Sequence, residues 1–309
     1  MAGFTSDLIN RTCLGLSVMI TCYSCQMKQA DKDQPLNVTK EFSDYWFQGQ
    51  AELTSYKLEQ ARYGEVHPGS AVLIFVTEDF SGQKQVKLDN PQQAGTDAVK
   101  VLKLNATRKF NTGVYPYSMM ASVFTPLNYE PSSTLKITAS SQEWCGHTFS
   151  QLNNRGNGFQ MSLKSYFESE GDKELSLDKS LLEDELWTNI RLNPDKLPTG
   201  DIEILPSALY LRLSHRPVKA EKAEAKIVDA DSVKTYSLSY IEFDRSLKIM
   251  FNADFPYDII SWEENYTSGF GANAKKLTTR AARDKTIMLD YWGRNSLADS
   301  VWRDKLNLQ

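Results

Sequence analysis

Apolar and polar positions alternate along most of this chain after Glu41, with the period of β-strands. Val72-Leu-Ile-Phe-Val76 is a short continuous apolar run of the kind a buried strand carries, and Gln85-Val-Lys-Leu-Asp89 alternates strictly. Ser81-Gly82 between them predicts a hairpin turn. Val99 to Asn105, Tyr115 to Phe124, Thr134 to Thr138 and Phe159 to Phe167 continue the series, and Asn153-Asn-Arg-Gly-Asn-Gly158 is a strong turn signal. Short strands separated by polar turns are the pattern of an antiparallel sheet, a sandwich or an open barrel. One helical period interrupts them. Over Ser180–Arg191, Leu182, Leu186 and Ile190 share one face, Asp178 or Ser180 can cap the start, and Pro194 ends the segment.

Residues 216–232 read as a linker or hinge, because Lys219-Ala-Glu-Lys-Ala-Glu-Ala-Lys226 is charged and balanced in sign. Strand patterns return at Thr235–Phe243, Leu247–Phe251, Phe255–Trp262 and Ile287–Trp292. The predicted fold is therefore mainly β (α+β): antiparallel sheets forming a sandwich or an open or half barrel, with one short helix near 180–191. A first β-rich domain is expected over 44–215, and a second β-rich subdomain over 233–309, packed on the first.

The N-terminus changes the picture of where the protein lives. Arg11 precedes a short apolar run, Leu14 to Ile20, which ends in Ser24-Cys25 and then polar sequence. The run is too short to span a bilayer, which takes about 20 apolar residues, but it suits a cleaved lipoprotein signal. Residues 1–24 are the predicted signal peptide and 25–43 a tether, with Cys25 the lipidation site and Cys22 the alternative. The protein is expected in the cell envelope, anchored by lipid to a membrane, with the outer membrane facing the periplasm as the preferred site.

Formal net charge is −4, and losing residues 1–24 removes one Asp and one Arg and leaves it unchanged. No basic stripe argues for nucleic acid. Of four cysteines, only Cys145 stays in the folded part once the signal is removed, so no disulfide framework is expected. The histidines, His67, His147 and His215, lie roughly 70–80 residues apart, without metal-ligand spacing. No cofactor fingerprint is present: Gly269-Phe-Gly271 is followed by Ala-Asn-Ala.

Reactive chemistry concentrates in Ser140-Ser-Gln-Glu-Trp-Cys-Gly-His147. Cys145 and His147 can form a thiolate–imidazolium pair, with Glu143 orienting the ring and Trp144 excluding water. The preferred alternative is a buried small cysteine beside a core tryptophan and a hydrogen-bonded histidine. Trp262 beside Glu263-Glu264 and Tyr266 suits a sugar groove, or, as preferred, a strand end entering solvent. The aromatics of the strands, among them Trp46, Tyr117, Tyr236 and Tyr240, suit either a concave binding face or core packing.

Asp44-Tyr-Trp-Phe-Gln-Gly49, Lys109-Phe-Asn-Thr-Gly-Val-Tyr-Pro-Tyr-Ser118, Ser141-Gln-Glu-Trp-Cys-Gly-His147 and Ser165-Tyr-Phe-Glu-Ser-Glu-Gly171 resemble an uncharacterised family of Gram-negative envelope lipoproteins, over most of residues 44–215. That family often carries the label "septum formation inhibitor Maf", which implies nucleotide pyrophosphatase activity. The Ser-x-Ser-Pro-Arg-Arg motif of true Maf enzymes is absent from this chain. In texture the chain is also similar to DUF3108-like and periplasmic lipid-carrier β-rich proteins. The expected function is a non-enzymatic binding or interaction module for a lipid, a glycan or an envelope protein. The alternatives are a hydrolase using Cys145 and His147, or the pyrophosphatase that the label implies.

Overall fold

Alternation becomes a long series of strands in the computed structural model, which describes residues 38–308. Helix α1 (Lys40–Trp46) starts where the Thr39 hydroxyl accepts a hydrogen bond from the Phe42 amide, and leads into β1 (Ala51–Arg62). A meander follows: β2 (Glu65–Ser81), β3 (Ala98–Thr112), β4 (Tyr115–Pro126), β5 (Lys136–Glu143), β6 (His147–Asn154), β7 (Gly158–Ser165) and β8 (Lys173–Asp178). The two-residue strand β9 (Leu181–Leu182), a 3-10 turn at Glu183–Glu185 and α2 (Leu186–Leu192) come next. After β10 (Gly200–Leu205) and α3 (Ala208–Ser214), a second meander runs through β11 (Glu221–Ala230), β12 (Val233–Tyr240), β13 (Arg245–Asn252), β14 (Ile259–Ser268) and β15 (Lys275–Leu289). A short C-terminal helix, α4 (Val301–Lys305), completes the described elements.

All fifteen strands form one sheet, in the order β8-β7-β6-β5-β4-β3-β2-β1-β15-β14-β13-β12-β11-β10-β9. Its pairings are antiparallel apart from β9 with β10, which run parallel. The two meanders are thus halves of one sheet, joined where β1 pairs with β15. The two ends of the sheet, β8 and β9, are neighbours in sequence. Only Lys179 and Ser180 separate them, so at that point the ends lie within about 11 Å, since each residue spans at most about 3.6 Å. The sheet rolls up without closing. Arg108 on β3 and Glu264 on β14 meet at 2.5 Å, although four strand steps would place them about 19 Å apart in a flat sheet.

The inside of the roll is filled by β9, the Glu183–Glu185 turn, α2 and α3. Leu182, Leu186 and Ile190 are all buried, as their shared face predicts, but the neighbours Trp187, Thr188, Asn189 and Arg191 are buried too. A helix covered on every side is enclosed by sheet rather than laid upon it. On the convex side, Ala51, Leu53, Val76 and Leu289 are covered by Leu306, with Trp302 packed against them.

Several expectations are corrected here. Residues 216–232 are not a linker, because β11 occupies Glu221–Ala230 and pairs with both β10 and β12. Lys222, Glu224 and Lys226 point outward, while Ala223 and Ala225, and with them Glu221, are buried, so the Ala-Glu-Lys composition hid a strand behind helix-favouring residues. Gln85–Asp89 is not a strand: β2 runs on to Ser81, the chain reverses through a turn that begins at Gly82, and beyond it Phe80 and Lys87 form an isolated antiparallel bridge. The nearby hairpin turn is Tyr63-Gly64, where both residues have positive φ, 55° and 81°, as a two-residue turn between twisted strands requires. A Cβ on Gly64 would meet the Asn273 carbonyl oxygen at 2.3 Å. The helix starts at Leu186 rather than near Ser180, and Glu185 precedes it without a side-chain cap.

Ion pairs tie the enclosed segment to the wall. Arg191 of α2 donates to both oxygens of Glu52 on β1, each at 2.5 Å. Arg245 of β13 and the Tyr240 hydroxyl both donate to Glu183 of the 3-10 turn. Arg212 of α3 donates to Glu143 on β5 at 2.7 Å. Such pairs add little net stability when whole, but removing one partner strands a buried charge.

Candidate ligand-binding site

Between α3 and the inner face of β5–β8 lies a cavity of about 350 Å³. Its origin is in side-chain size. At adjacent inward positions β5 carries Ala139 and β6 carries Ser150, paired in register, with Thr148 one inward position along. These small side chains do not fill the space between sheet and helix, where close packing is the norm. Met161, Leu163 and Leu175 from the sheet, and Leu209, Leu211 and Val218 from the α3 side, complete a mostly apolar lining.

The mouth of the cavity is charged and fixed. His215, in the left-handed conformation at φ 52°, ends α3. Its Nδ1 lies 2.6 Å from Oε1 of Glu170 in the β7–β8 connection. The Arg212 guanidinium sits over the Phe167 ring, 4.4 Å from its centroid, and is paired with Glu143. The Tyr115 hydroxyl donates to the other oxygen of Glu143 at 2.6 Å. Burial, with Cys145 and Glu143 as neighbours, pushes the Tyr115 phenol above its ordinary range. The mouth opens at the end of the roll where β1–β2, β3–β4, β5–β6, β7–β8, β12–β13 and β14–β15 turn. Those turns expose Tyr63, Val114, Trp144, Tyr166, Ile241 and Phe270 in the same order.

A second, more polar pocket of about 150 Å³ adjoins the first and shares Arg216 with it. Arg62, Ser214, Ser268 and Phe270 are among its other walls.

The sequence-predicted residues distribute as follows. Cys145 and His147 are exposed at the β5–β6 turn, and Trp144, 66 % exposed, shields neither. The buried-cysteine alternative is overturned: Gly146 and the turn put the thiol at the surface, where the Cys145 amide donates to the Tyr115 hydroxyl at 3.2 Å. Both Glu143 oxygens are taken by Arg212 and Tyr115, so it does not orient His147. Trp262 and Glu264 face the interior rather than solvent, and only Glu263 points out, to Arg280. Trp46, Tyr117, Tyr236 and Tyr240 are packed in the core. Cys22 and Cys25 lie outside the described residues. Among the described residues, no group of three or more His, Cys, Asp or Glu is arranged to hold a metal ion.

Sequence reasoning missed Arg62, Arg212, Glu170 and Arg216, and gave His215 no role beyond its place among widely spaced histidines. The missed signal was Pro206-Ser207 ahead of the mainly apolar Leu209–Leu213, which is a helix start rather than a broken strand.

Behind α3, Asp184 is buried and accepts a hydrogen bond from the Ala208 amide at 2.9 Å. Burial raises its carboxyl to about 6, against the backbone and Ser207 hydrogen bonds that favour the charge. A raised pKa means this group contributes stability below the ordinary carboxylate range, and the contribution is lost as pH rises through about 6. Asp184→Asn is therefore expected to stabilise the protein at pH 7 by up to about 3 kcal/mol, with the gain fading toward pH 4. Urea unfolding of both proteins at the two pH values checks this. A difference independent of pH would contradict it.

No family model matches the chain, and neither does any curated protein. Among solved structures, it is similar to a β-barrel-like protein of a domain of unknown function, DUF1849, from Brucella abortus. The identity is 8 %, covering 77 % of this chain and 98 % of that one, with a TM-score of 0.45.

Proposed function

We propose that this chain is a non-enzymatic binding module of the cell envelope that holds an apolar or amphiphilic small molecule in the cavity between α3 and β5–β8. The observation that carries the reading is an apolar cavity of about 350 Å³ with a polar mouth. That volume lies within the range of small-molecule sites, roughly 300–1,000 Å³. It is more than twice the roughly 150 Å³ of an engineered dry cavity that takes up benzene. Met161, Leu163, Leu175, Leu209, Leu211 and Val218 outweigh the Ser140, Thr148 and Ser150 hydroxyls in the wall, which favours hydrocarbon over a glycan, whose hydroxyls need many polar partners. Trp144, Tyr166 and Tyr63 at the surrounding turns are residue types that favour the membrane–water boundary, so the mouth opens at an end suited to meeting lipid. In this reading, Cys25 or Cys22 supplies the membrane anchor, and the envelope-lipoprotein resemblance of residues 44–215 belongs to the same picture.

Native mass spectrometry of the protein purified from the envelope tests it. A reproducible extra mass that leaves on denaturation is expected. A bare chain that also takes up no added fatty alcohol would overturn the reading.

A further inference from the structure

Four arginines are buried among the described residues: Arg62, Arg108, Arg191 and Arg245. Three of them face a carboxylate, on Glu264, Glu52 and Glu183 respectively. Arg62, only 5 % exposed, has none. Its partners are neutral: the Leu213 carbonyl, the Tyr63 and Tyr117 hydroxyls at 3.4 and 3.5 Å, and the Tyr63 ring at 4.3 Å. Its Nε–H is buried without a hydrogen-bond partner. A buried charge without a counter-charge is costly, and elsewhere in this interior a glutamate meets it.

Arg62 lines the polar pocket of about 150 Å³, and Arg216 lines it from the other side. The Arg216 guanidinium sits over the Phe243 ring at 3.9 Å and also has no carboxylate within ion-pair distance among the described residues. Asp244 is the acid in this pocket's wall, and Lys276 pairs with it at 2.6 Å. Arg216 also lines the apolar cavity, so it stands where that cavity meets the polar pocket that Arg62 lines.

We infer that the ligand is a single-chain amphiphile with an anionic head, a carboxylate or a phosphate, seated between Arg62 and Arg216. This rests on the cavity reading above. The apolar chain lies between α3 and β5–β8, and the head supplies the counter-charge that Arg62 lacks. Arginine is suited to both head types, since its fork of donors matches either group.

The test compares binding of dodecanoate, dodecyl phosphate and dodecanol by calorimetry, the anions below their micellar concentrations and the alcohol below its solubility limit, to the protein and to Arg216→Gln. Arg216 is half-exposed, so the variant is expected to keep the fold, which a thermal melt verifies. At least one anionic probe should bind about tenfold or more tighter than the alcohol, as charge-assisted hydrogen bonds allow, and Arg216→Gln should bring it close to the alcohol's affinity. A preference for one anion identifies the head. Equal affinities for all three probes would overturn the anionic head and leave the cavity reading standing. Binding of none would overturn both.

Discussion

Replacing Arg191 with leucine while Glu52 stays in place is expected to lower stability by about 3–5 kcal/mol. Arg191 is enclosed by its own contacts: both Glu52 oxygens at 2.5 Å, the Pro256 carbonyl at 2.8 Å, and the rings of Trp46 and Phe75 at 5.1 and 4.8 Å. Without it, the Tyr45 and Thr54 hydroxyls alone face a buried carboxylate. The double variant with leucine at both positions should recover most of the loss, because the desolvation cost disappears with both charges. Acid gives an independent signature. Burial opposes the charge on Glu52, yet the Arg191 guanidinium outweighs it and holds the carboxyl below the ordinary range. In the wild type this contribution is present above the ordinary carboxylate range and is lost as pH falls through the lowered value. In the single variant, burial dominates and the sign reverses, so acidification should restore part of the stability. Urea midpoints for the three proteins across pH 4–7 check both statements. A single variant within about 1 kcal/mol of wild type would contradict them.

Filling the cavity is the second large effect. Ser150→Leu places a leucine side chain opposite Ala139, in space that no side chain occupies. A ligand displaced from about three methylene positions loses roughly 2.4 kcal/mol, or about 50-fold in affinity. The fold should gain or hold stability, because apolar atoms enter an apolar void instead of a packed core. Opposite changes in Tm and affinity distinguish a ligand cavity from a packing defect, where only stability would move.

Strand texture was legible from alternation, and the turn expected over Asn153–Gly158 falls at residues 155–157 between β6 and β7. What stayed hidden depended on distant partners. Glu52, Arg108, Glu183 and Arg245 sit at inward positions where an apolar residue is the default, and nothing nearby in sequence marks the carboxylate or guanidinium that each meets. Strand β11 was hidden because its fully buried apolar residues are the alanines Ala223 and Ala225, and the division into two subdomains failed because β1 pairs with β15. The cavity was invisible for a related reason. Ala139 and Ser150 are unremarkable singly, and only their pairing in register beneath α3 leaves space.

The most direct measurement of the central claim is a titration of the protein with the neutral apolar fluorophore N-phenyl-1-naphthylamine, repeated on Ser150→Leu. The account predicts saturable uptake near one molecule per chain, weakened about 50-fold in the variant without a lower Tm. Equal uptake by both proteins, or none by the wild type, would contradict it.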